Sequence, residues 1–430
     1  MWSPLLEGKP AETAFATIAG IVESITGSAR STSNAEAQPC SIDGACLASG
    51  QAGLAIFFAY LAQVDGFESS TQAADGFVDA AIDAVARTNM SASLYGGFPG
   101  IAWAIAHLSD QLFDQFDDLN AEVDATLQQY VELSPWPGEY DLVTGLVGIG
   151  VYALERLPHS SGAELLARVV LKLHEIAERN EDGATWFTAP SLLPDWQRRV
   201  CPHGYYNLGL AHGVPGVIAM LAGACRAQIA DDVARPLLDD AVRWLLSQRL
   251  PNSAPSAFST WAGRGLSAHH SRSAWCYGDP GIAAALLCAA KAVDHPDWRA
   301  NALAIARKAA DRPSNDTGVR DAGLCHGAAG LGHLFNRMFH ITGDTHLGEA
   351  ARFWLTRALN MREPGTGIGG YRAFFPREDG TEQWVNEPGI LSGSVGIALA
   401  LLAACTSIEP SWDRMLLVSL RSDMPAPATS

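Results

Sequence analysis

The chain has 430 residues, of which 48% are hydrophobic and 17% charged, so it carries enough apolar surface for a large core. Its formal net charge of −17 argues against nucleic acid as a main partner, because phosphate binding requires clustered lysine and arginine. Its N-terminus shows no secretion signal, so the eight cysteines are expected to be thiols or metal ligands rather than disulfides.

One short pattern recurs through the chain: a small residue or histidine, then Gly-x-x-Gly, then aliphatic or small residues. The first glycines of its seven copies are Gly50, Gly97, Gly145, Gly213, Gly278, Gly327 and Gly393. Three of the steps between successive copies are similar in length and three are longer, so the longer units carry insertions. A recurring unit of this size indicates a repeat fold.

The segments between the loops are predicted to be amphipathic outer helices, and those after the loops apolar inner helices. Phe77, Val78 and Ala81 share one face of an early outer helix, and Pro236 suits the first turn of another that runs to about Gln248. Each inner helix lacks strand-like alternation. The predicted fold is therefore an all-α, seven-fold (α/α) toroid, one body of seven helix pairs spanning residues 1–430.

The uncharged stretch from Gly389 to Ile408 is long enough to be mistaken for a membrane span. It is interrupted by glycine and serine, and it contains the last copy of the repeat. We therefore expect a buried inner helix here, and we expect that the protein is not an integral membrane protein.

Two cysteines occupy equivalent positions in neighbouring repeats. Cys276 and Cys325 each lie two residues before a loop glycine, and His326 follows Cys325. The inner helices should begin at one end of the barrel, so residues before the loop glycines are expected to face a common cavity. Two thiolates and an imidazole supply three ligands, the number that a catalytic zinc site uses when its fourth position stays open. The sequence thus predicts a zinc site.

Further candidate site residues lie beside the same loops. His212 directly precedes a loop glycine, a position that favours acid–base chemistry. Asp141, four residues before Gly145, is either a turn residue or the group that orients His212. Arg272, four residues before Cys276, is either a surface charge or a support for developing negative charge.

The remaining cysteines have a simpler interpretation, since a free cysteine in a helical protein is usually a small buried apolar residue. This interpretation applies to Cys40, Cys46, Cys225, Cys288 and Cys405. The Cys201-Pro202-His203 segment lies outside the repeat register and is a weak candidate for a second ligand pair.

Three motifs resemble the lanthionine synthetase C-like proteins, and the match extends over all seven repeats. They are Trp275-Cys276-Tyr277-Gly278, Leu324-Cys325-His326-Gly327 and Gly209-Leu210-Ala211-His212-Gly213-Val214-Pro215-Gly216. The resemblance implies a toroid with zinc held by Cys276, Cys325 and His326. It also implies an acid–base pair of His212 and Asp141, with Arg272 and Tyr277 as supporting residues. Bacterial members often carry a small inserted domain, expected here at residues 158–207 with a short strand at Ala184–Thr188.

The resemblance implies a free-standing bacterial lantibiotic cyclase. Such an enzyme adds peptide cysteine thiols to dehydroalanine or dehydrobutyrine and so forms lanthionine and methyllanthionine rings. The implied partners are a dehydrated precursor peptide (leader plus core), a separate dehydratase and a peptide exporter. The implied location is the cytoplasm, including the inner face of the membrane. The alternatives are a glutathione-conjugating or glutathione-binding zinc protein of the same fold, and a non-catalytic peptide-binding toroid with structural zinc.

Overall fold

The computed structural model describes residues 2–31, 42–112, 118–267, 269–376 and 381–420. The chain divides into two compact units, each built from discontinuous segments. The first unit comprises Met1–Ser91, Gly96–Gln115 and Val319–Pro410; the second comprises Ala92–Tyr95, Phe116–Gly318 and Ser411–Ser430.

Fifteen α-helices lie within the described residues. They are α1 Lys9–Ser31, α2 Gln51–Leu61, α3 Ser70–Arg87, α4 Phe98–Leu112, α5 Ala121–Val131, α6 Leu146–Glu155, α7 Ser160–Ile176, α8 Asp195–Val200, α9 Val214–Arg226, α10 Asp231–Ser247, α11 Asp279–Ala292, α12 Pro296–Ala310, α13 Ala328–Thr342, α14 Thr345–Asn360 and α15 Ser394–Cys405. Short strands join them: β1 Glu178–Asn180, β2 Gly183–Thr185, β3 Phe187–Thr188, β4 Tyr205–Asn207, β5 Trp261–Ala262, β6 Ala373–Pro376 and β7 Glu382–Val385.

Inner and outer helices differ in burial as the sequence predicts. In α2 every residue from Ala52 to Leu61 is buried, whereas its partner α3 buries one stripe that includes Ala74, Val78 and Ala81. The inner helices contact one another in the order α13–α15–α2–α4 in the first unit and α6–α9–α11 in the second. Burial of this apolar surface is the main source of stability in each unit.

Five of the inner helices pack chiefly against the outer helix that follows them, whereas α4 packs mainly on α2 and α3. The pairs α2–α3, α6–α7, α9–α10, α11–α12 and α13–α14 all show this arrangement. The connection from inner to outer helix is short, which favours an antiparallel hairpin. The last inner helix, α15, packs on α1, so the start of the chain supplies its outer partner.

The glycines of the repeat permit close backbone contacts. A Cβ on Gly145 would lie 2.3 Å from the carbonyl oxygen of Glu139, and one on Gly213 would lie 2.1 Å from that of Asn207. At Gly278 the corresponding distance, to the carbonyl oxygen of Arg272, is 1.8 Å, and φ is +108°. In each case the oxygen belongs to the residue six positions earlier, so no larger residue fits the turn.

The expectation about Pro236 is wrong. Helix α10 begins at Asp231, so Pro236 lies in its second turn instead of its first. Asp231 and Asp232 occupy the first turn, where acidic side chains interact favourably with the helix dipole. Because of this favourable start, the helix begins more than one turn before the position that Pro236 alone indicated.

The strands β1 to β4 all lie within residues 158–207, whereas the earlier part of that range forms the outer helix α7. Strands β1 and β2 pair antiparallel, and β3, β4 and β5 form a second small sheet in that order. The strand expected at Ala184–Thr188 is interrupted at Trp186, whose buried indole donates to the Leu173 carbonyl oxygen. Strand β4 leads directly into the loop that carries His212.

The apolar stretch near the end of the chain forms the buried helix α15, as predicted. None of the helices within the described ranges combines the length and the apolar character that crossing a bilayer requires.

Candidate metal centre and acid–base pair

Cys276, Cys325 and His326 offer ligand atoms that all lie within 4.8 Å of one another. Cys276 is buried, while Cys325 and His326 are partly buried. Two thiolates and one imidazole are a donor set that suits zinc. Among the described residues this group has three members, which leaves room for a fourth ligand from a substrate or water.

The backbone brings equivalent loop positions into register. In the second unit the amide of Ala211 donates to the carbonyl oxygen of Cys276, at 3.3 Å. In the first unit the amide of Cys325 donates to Leu391, at 2.7 Å, and the amide of Leu391 donates to Ala48, at 3.1 Å. All five residues lie two positions before a loop glycine. The two cysteines therefore take part in the same pattern of backbone hydrogen bonds between successive loops, Cys276 as an acceptor and Cys325 as a donor.

A buried carboxylate lies beside His326. Asp321 accepts the backbone N–H groups of Gly323 and Phe374, and its second oxygen lies 3.9 Å from Nε2 of His326. A carboxylate near a metal-binding histidine commonly fixes the orientation of the ring. The sequence prediction did not include Asp321, whose contact to Phe374 joins residues far apart in the chain.

His212 and Asp141 form a close pair. Nδ1 of His212 lies 2.6 Å from one oxygen of Asp141, and the other oxygen accepts the backbone N–H of Thr144. Asp141 therefore contacts both the backbone of its own turn and the His212 ring. Because a carboxylate only accepts, Nδ1 of His212 carries a proton in this pair.

The surroundings of His212 favour its charged form. Burial lowers the pKa of His212, but the hydrogen bond and the negative charge of Asp141 outweigh it, and the pKa is raised overall. The pair with Asp141 therefore shifts His212 toward its imidazolium form, which can donate a proton.

Tyr277 lies beside the pair, whereas no contact among the described residues joins Arg272 to it. The ring centroid of Tyr277 is 5.9 Å from that of His212, and its hydroxyl is 3.2 Å from Nδ2 of Asn207. Burial raises the pKa of Tyr277, so its phenol keeps its proton. The Arg272 side chain is exposed, and among the described residues it forms no hydrogen bond or ion pair.

Glu139 is a site residue that the sequence prediction missed. Burial raises the pKa of its half-buried carboxyl to about 7, with a further contribution from Asp141 and an opposing one from His212. A sequence signal did exist: Glu139 lies six residues before a loop glycine, as do Asn207 and Asp321. Polar residues thus recur at the same position of several repeats, six residues before the loop glycine.

The cysteines outside the metal group are distributed as expected where the structure describes them. Cys46, Cys225 and Cys288 are buried, Cys405 is partly buried, and Cys40 lies outside the described residues. Cys201 is fully buried against Leu193 and Tyr205, and His203 is exposed. Cys201 and His203 are not part of the metal group.

Comparison with known proteins places this geometry in context. The family model described as lanthionine synthetase C-like protein matches residues 41–417. The nisin biosynthesis protein NisC of Lactococcus lactis subsp. lactis is 24% identical over 307 residues, which cover 66% of this chain and 71% of that protein. The solved structure of nisin cyclase matches with a TM-score of 0.76 and 21% identity, over 93% of this chain and 96% of that one. This likeness confirms the predicted fold class, the α/α toroid.

Proposed function

Because the chain belongs to the lanthionine synthetase C-like family, as its motifs predicted, we propose that it is a zinc-dependent cyclase of a ribosomal precursor peptide. It adds cysteine thiols of the peptide to dehydroalanine or dehydrobutyrine and forms lanthionine or methyllanthionine rings. The observation that carries this proposal is the three-membered group of Cys276, Cys325 and His326, a donor set with one position left for a substrate sulfur.

Cys276, Cys325 and His326 would hold the zinc ion. When bound, zinc lowers the pKa of a coordinated thiol, so that the substrate cysteine is available as a thiolate at neutral pH. The two protein cysteines would hold the ion from adjacent repeats, and the neighbouring carboxylate of Asp321 would orient His326.

The acid–base pair supplies the proton that the addition consumes. The thiolate sulfur bonds to the β-carbon, the double-bond electrons move toward the carbonyl oxygen, and the α-carbon of the enolate then needs a proton. His212 donates it from Nε2, because Asp141 holds Nδ1 and raises the pKa of the ring. The proton that the next substrate thiol gives up restores His212, so the cycle balances.

A thiol-blocking assay tests the activity. The full chain, loaded with zinc, is incubated with a dehydrated cysteine-containing peptide, and remaining thiols are alkylated and counted by mass spectrometry. We expect alkylation to disappear as rings close. Alkylation equal to that of a sample without the protein would contradict the proposal.

Three variants separate the roles in this assay. Cys276→Ala should lose zinc and ring formation, whereas Cys225→Ala, a matched change of a buried cysteine in α9, should retain both. His212→Asn should retain zinc but lose turnover. Full zinc and full activity in Cys276→Ala would remove it from the ligand set.

The same assay separates the alternative functions. A glutathione-conjugating protein would leave peptide thiols free and would form glutathione adducts when glutathione is supplied. A toroid with structural zinc would bind the peptide without closing rings.

The chemistry also implies partners. A dehydratase must act first, because the acceptor is a dehydrated residue, and an exporter would receive the cyclised peptide. We propose a cytoplasmic location, including the inner face of the membrane.

A further inference from the structure

Asn207 contacts two of the loops that carry candidate site residues. It is the last residue of β4 and is fully buried. Its Oδ1 accepts the backbone N–H of Gly209 at 2.9 Å, and its Nδ2 donates to the Tyr277 hydroxyl at 3.2 Å. One side chain thus links the loop that carries His212 to the loop that carries Tyr277.

The first of these contacts recurs in other repeats. Asp321 accepts the N–H of Gly323, and Glu387 accepts the N–H of Gly389, with both acids six residues before a loop glycine, as Asn207 is. A carboxylate therefore satisfies this turn as well as an amide does. The repeated turn requires a hydrogen-bond acceptor at this position, but it does not require that the acceptor be an amide.

The second contact requires the amide, because a carboxylate has no N–H to donate. A phenol has one proton, so a Tyr277 oxygen that accepts from Asn207 directs its own O–H elsewhere. The ring itself is fixed by the adjacent backbone, since a Cβ on Gly209 would come within 2.5 Å of the Tyr277 ring.

We propose that Asn207 is a positioning residue that holds the Tyr277 hydroxyl as a hydrogen-bond donor toward the substrate carbonyl oxygen. This inference rests on the proposed function. When the sulfur–carbon bond forms, the double-bond electron pair shifts and negative charge develops on that oxygen. The Tyr277 hydroxyl stabilises the charge by donation, and the charge is lost when the α-carbon takes its proton from His212 and the carbonyl re-forms.

The change Asn207→Asp tests this idea with little change in shape. The aspartate still accepts from Gly209, as Asp321 and Glu387 do in their loops, but it attracts the Tyr277 O–H instead of donating to it. We expect kcat to fall by about tenfold or more, with KM and zinc content unchanged. Glu387→Gln, a matched exchange of carboxylate and amide at the equivalent position, should leave kcat unchanged.

A double-mutant cycle with Tyr277→Phe shows whether Asn207 acts through the hydroxyl. We expect Tyr277→Phe alone to lower kcat with zinc retained, and Asn207→Asp to have no further effect in that background. An equal loss in both backgrounds would overturn the inference. Full kcat in Tyr277→Phe would also overturn it, whether or not Asn207→Asp folds.

Fluorine NMR gives a readout that does not depend on activity. The chain has nine tyrosines, and after labelling with 3-fluorotyrosine the signal that is lost in Tyr277→Phe belongs to Tyr277. We expect Asn207→Asp to shift this signal, and an unshifted signal would refute the contact. If the wild-type protein closes no rings, the proposed function is refuted. The NMR measurement would still show whether Asn207 contacts the Tyr277 hydroxyl.

Discussion

Replacing Glu139 with glutamine should stabilise the protein at pH 8 but not at pH 4. The pKa of Glu139 rises from its ordinary value of 4.5 to about 7 in the folded chain, first because of burial and then because of Asp141. The folded protein therefore binds more protons than the unfolded chain between these two values. Stability that the neutral carboxyl contributes is present below pH 4.5 and is lost as the pH rises through 7.

The magnitude follows from the shift. At about 1.36 kcal/mol for each pKa unit, the rise from 4.5 to about 7 corresponds to at most about 3.4 kcal/mol. Because the carboxyl keeps some contact with water, we expect a gain of about 1–3 kcal/mol for Glu139→Gln at pH 8 relative to pH 4. Glutamine keeps the size of the side chain and removes only the charge.

Urea unfolding of both proteins at each pH, followed by circular dichroism, measures this difference. Glu164→Gln, on the exposed side of α7, is the matched control, and its effect should be the same at both values. The reasoning is refuted if Glu139→Gln has the same effect at pH 4 and pH 8. If Glu139→Gln were less stable than the wild type at pH 8, the charged carboxylate of Glu139 would have a favourable partner.

Four further changes test other parts of the account. Gly278→Ala should destabilise the protein by about 2–4 kcal/mol in urea unfolding, because its Cβ meets a carbonyl oxygen at positive φ. Gly76→Ala, on α3 with open space around it, should instead stabilise by about 0.5–1 kcal/mol. Asp141→Asn should lower the NMR titration midpoint of His212 and reduce turnover roughly 10²-fold with zinc retained; an unchanged midpoint would contradict the pairing. Asp124→Asn should cost about 3–5 kcal/mol, since this buried carboxylate compensates a buried guanidinium; a loss below 1 kcal/mol would count against that.

The period of the glycine loops accounts for much of what the sequence predicted. It placed Cys276 and Cys325 at equivalent positions, and the structure brings their sulfur atoms together with His326. It also predicted helices with a fully apolar surface, such as α15, because burial on all sides leaves no polar face.

The contacts between loops were beyond the sequence because their partners lie far apart in the chain. Asn207 and Tyr277 are 70 positions apart, and Asp321 reaches Phe374 across 53 positions. Asn207 and Asp321 share the position six residues before a loop glycine, but that position does not show which distant residue each of them contacts. The proximity of Glu139 to His212 was hidden for the same reason.

The sequence also did not show which inner helix packs against which outer helix. An amphipathic stripe shows which face of α3 is buried but not which inner helix covers it. Connection length decides this in the structure, where short links join α2 to α3 and α13 to α14. The packing of α1 on α15 has no sequence signal, since the two helices come from opposite ends of the chain.

X-ray absorption at the zinc edge tests the central claim most directly. The zinc-loaded protein is measured alone and then with the undehydrated precursor peptide, whose cysteine thiols bind but have no acceptor to attack. The account predicts two sulfur ligands and one nitrogen from the protein at first, and a third sulfur after the peptide is added. A spectrum that already shows four protein ligands, or that does not change when the thiol arrives, would contradict it.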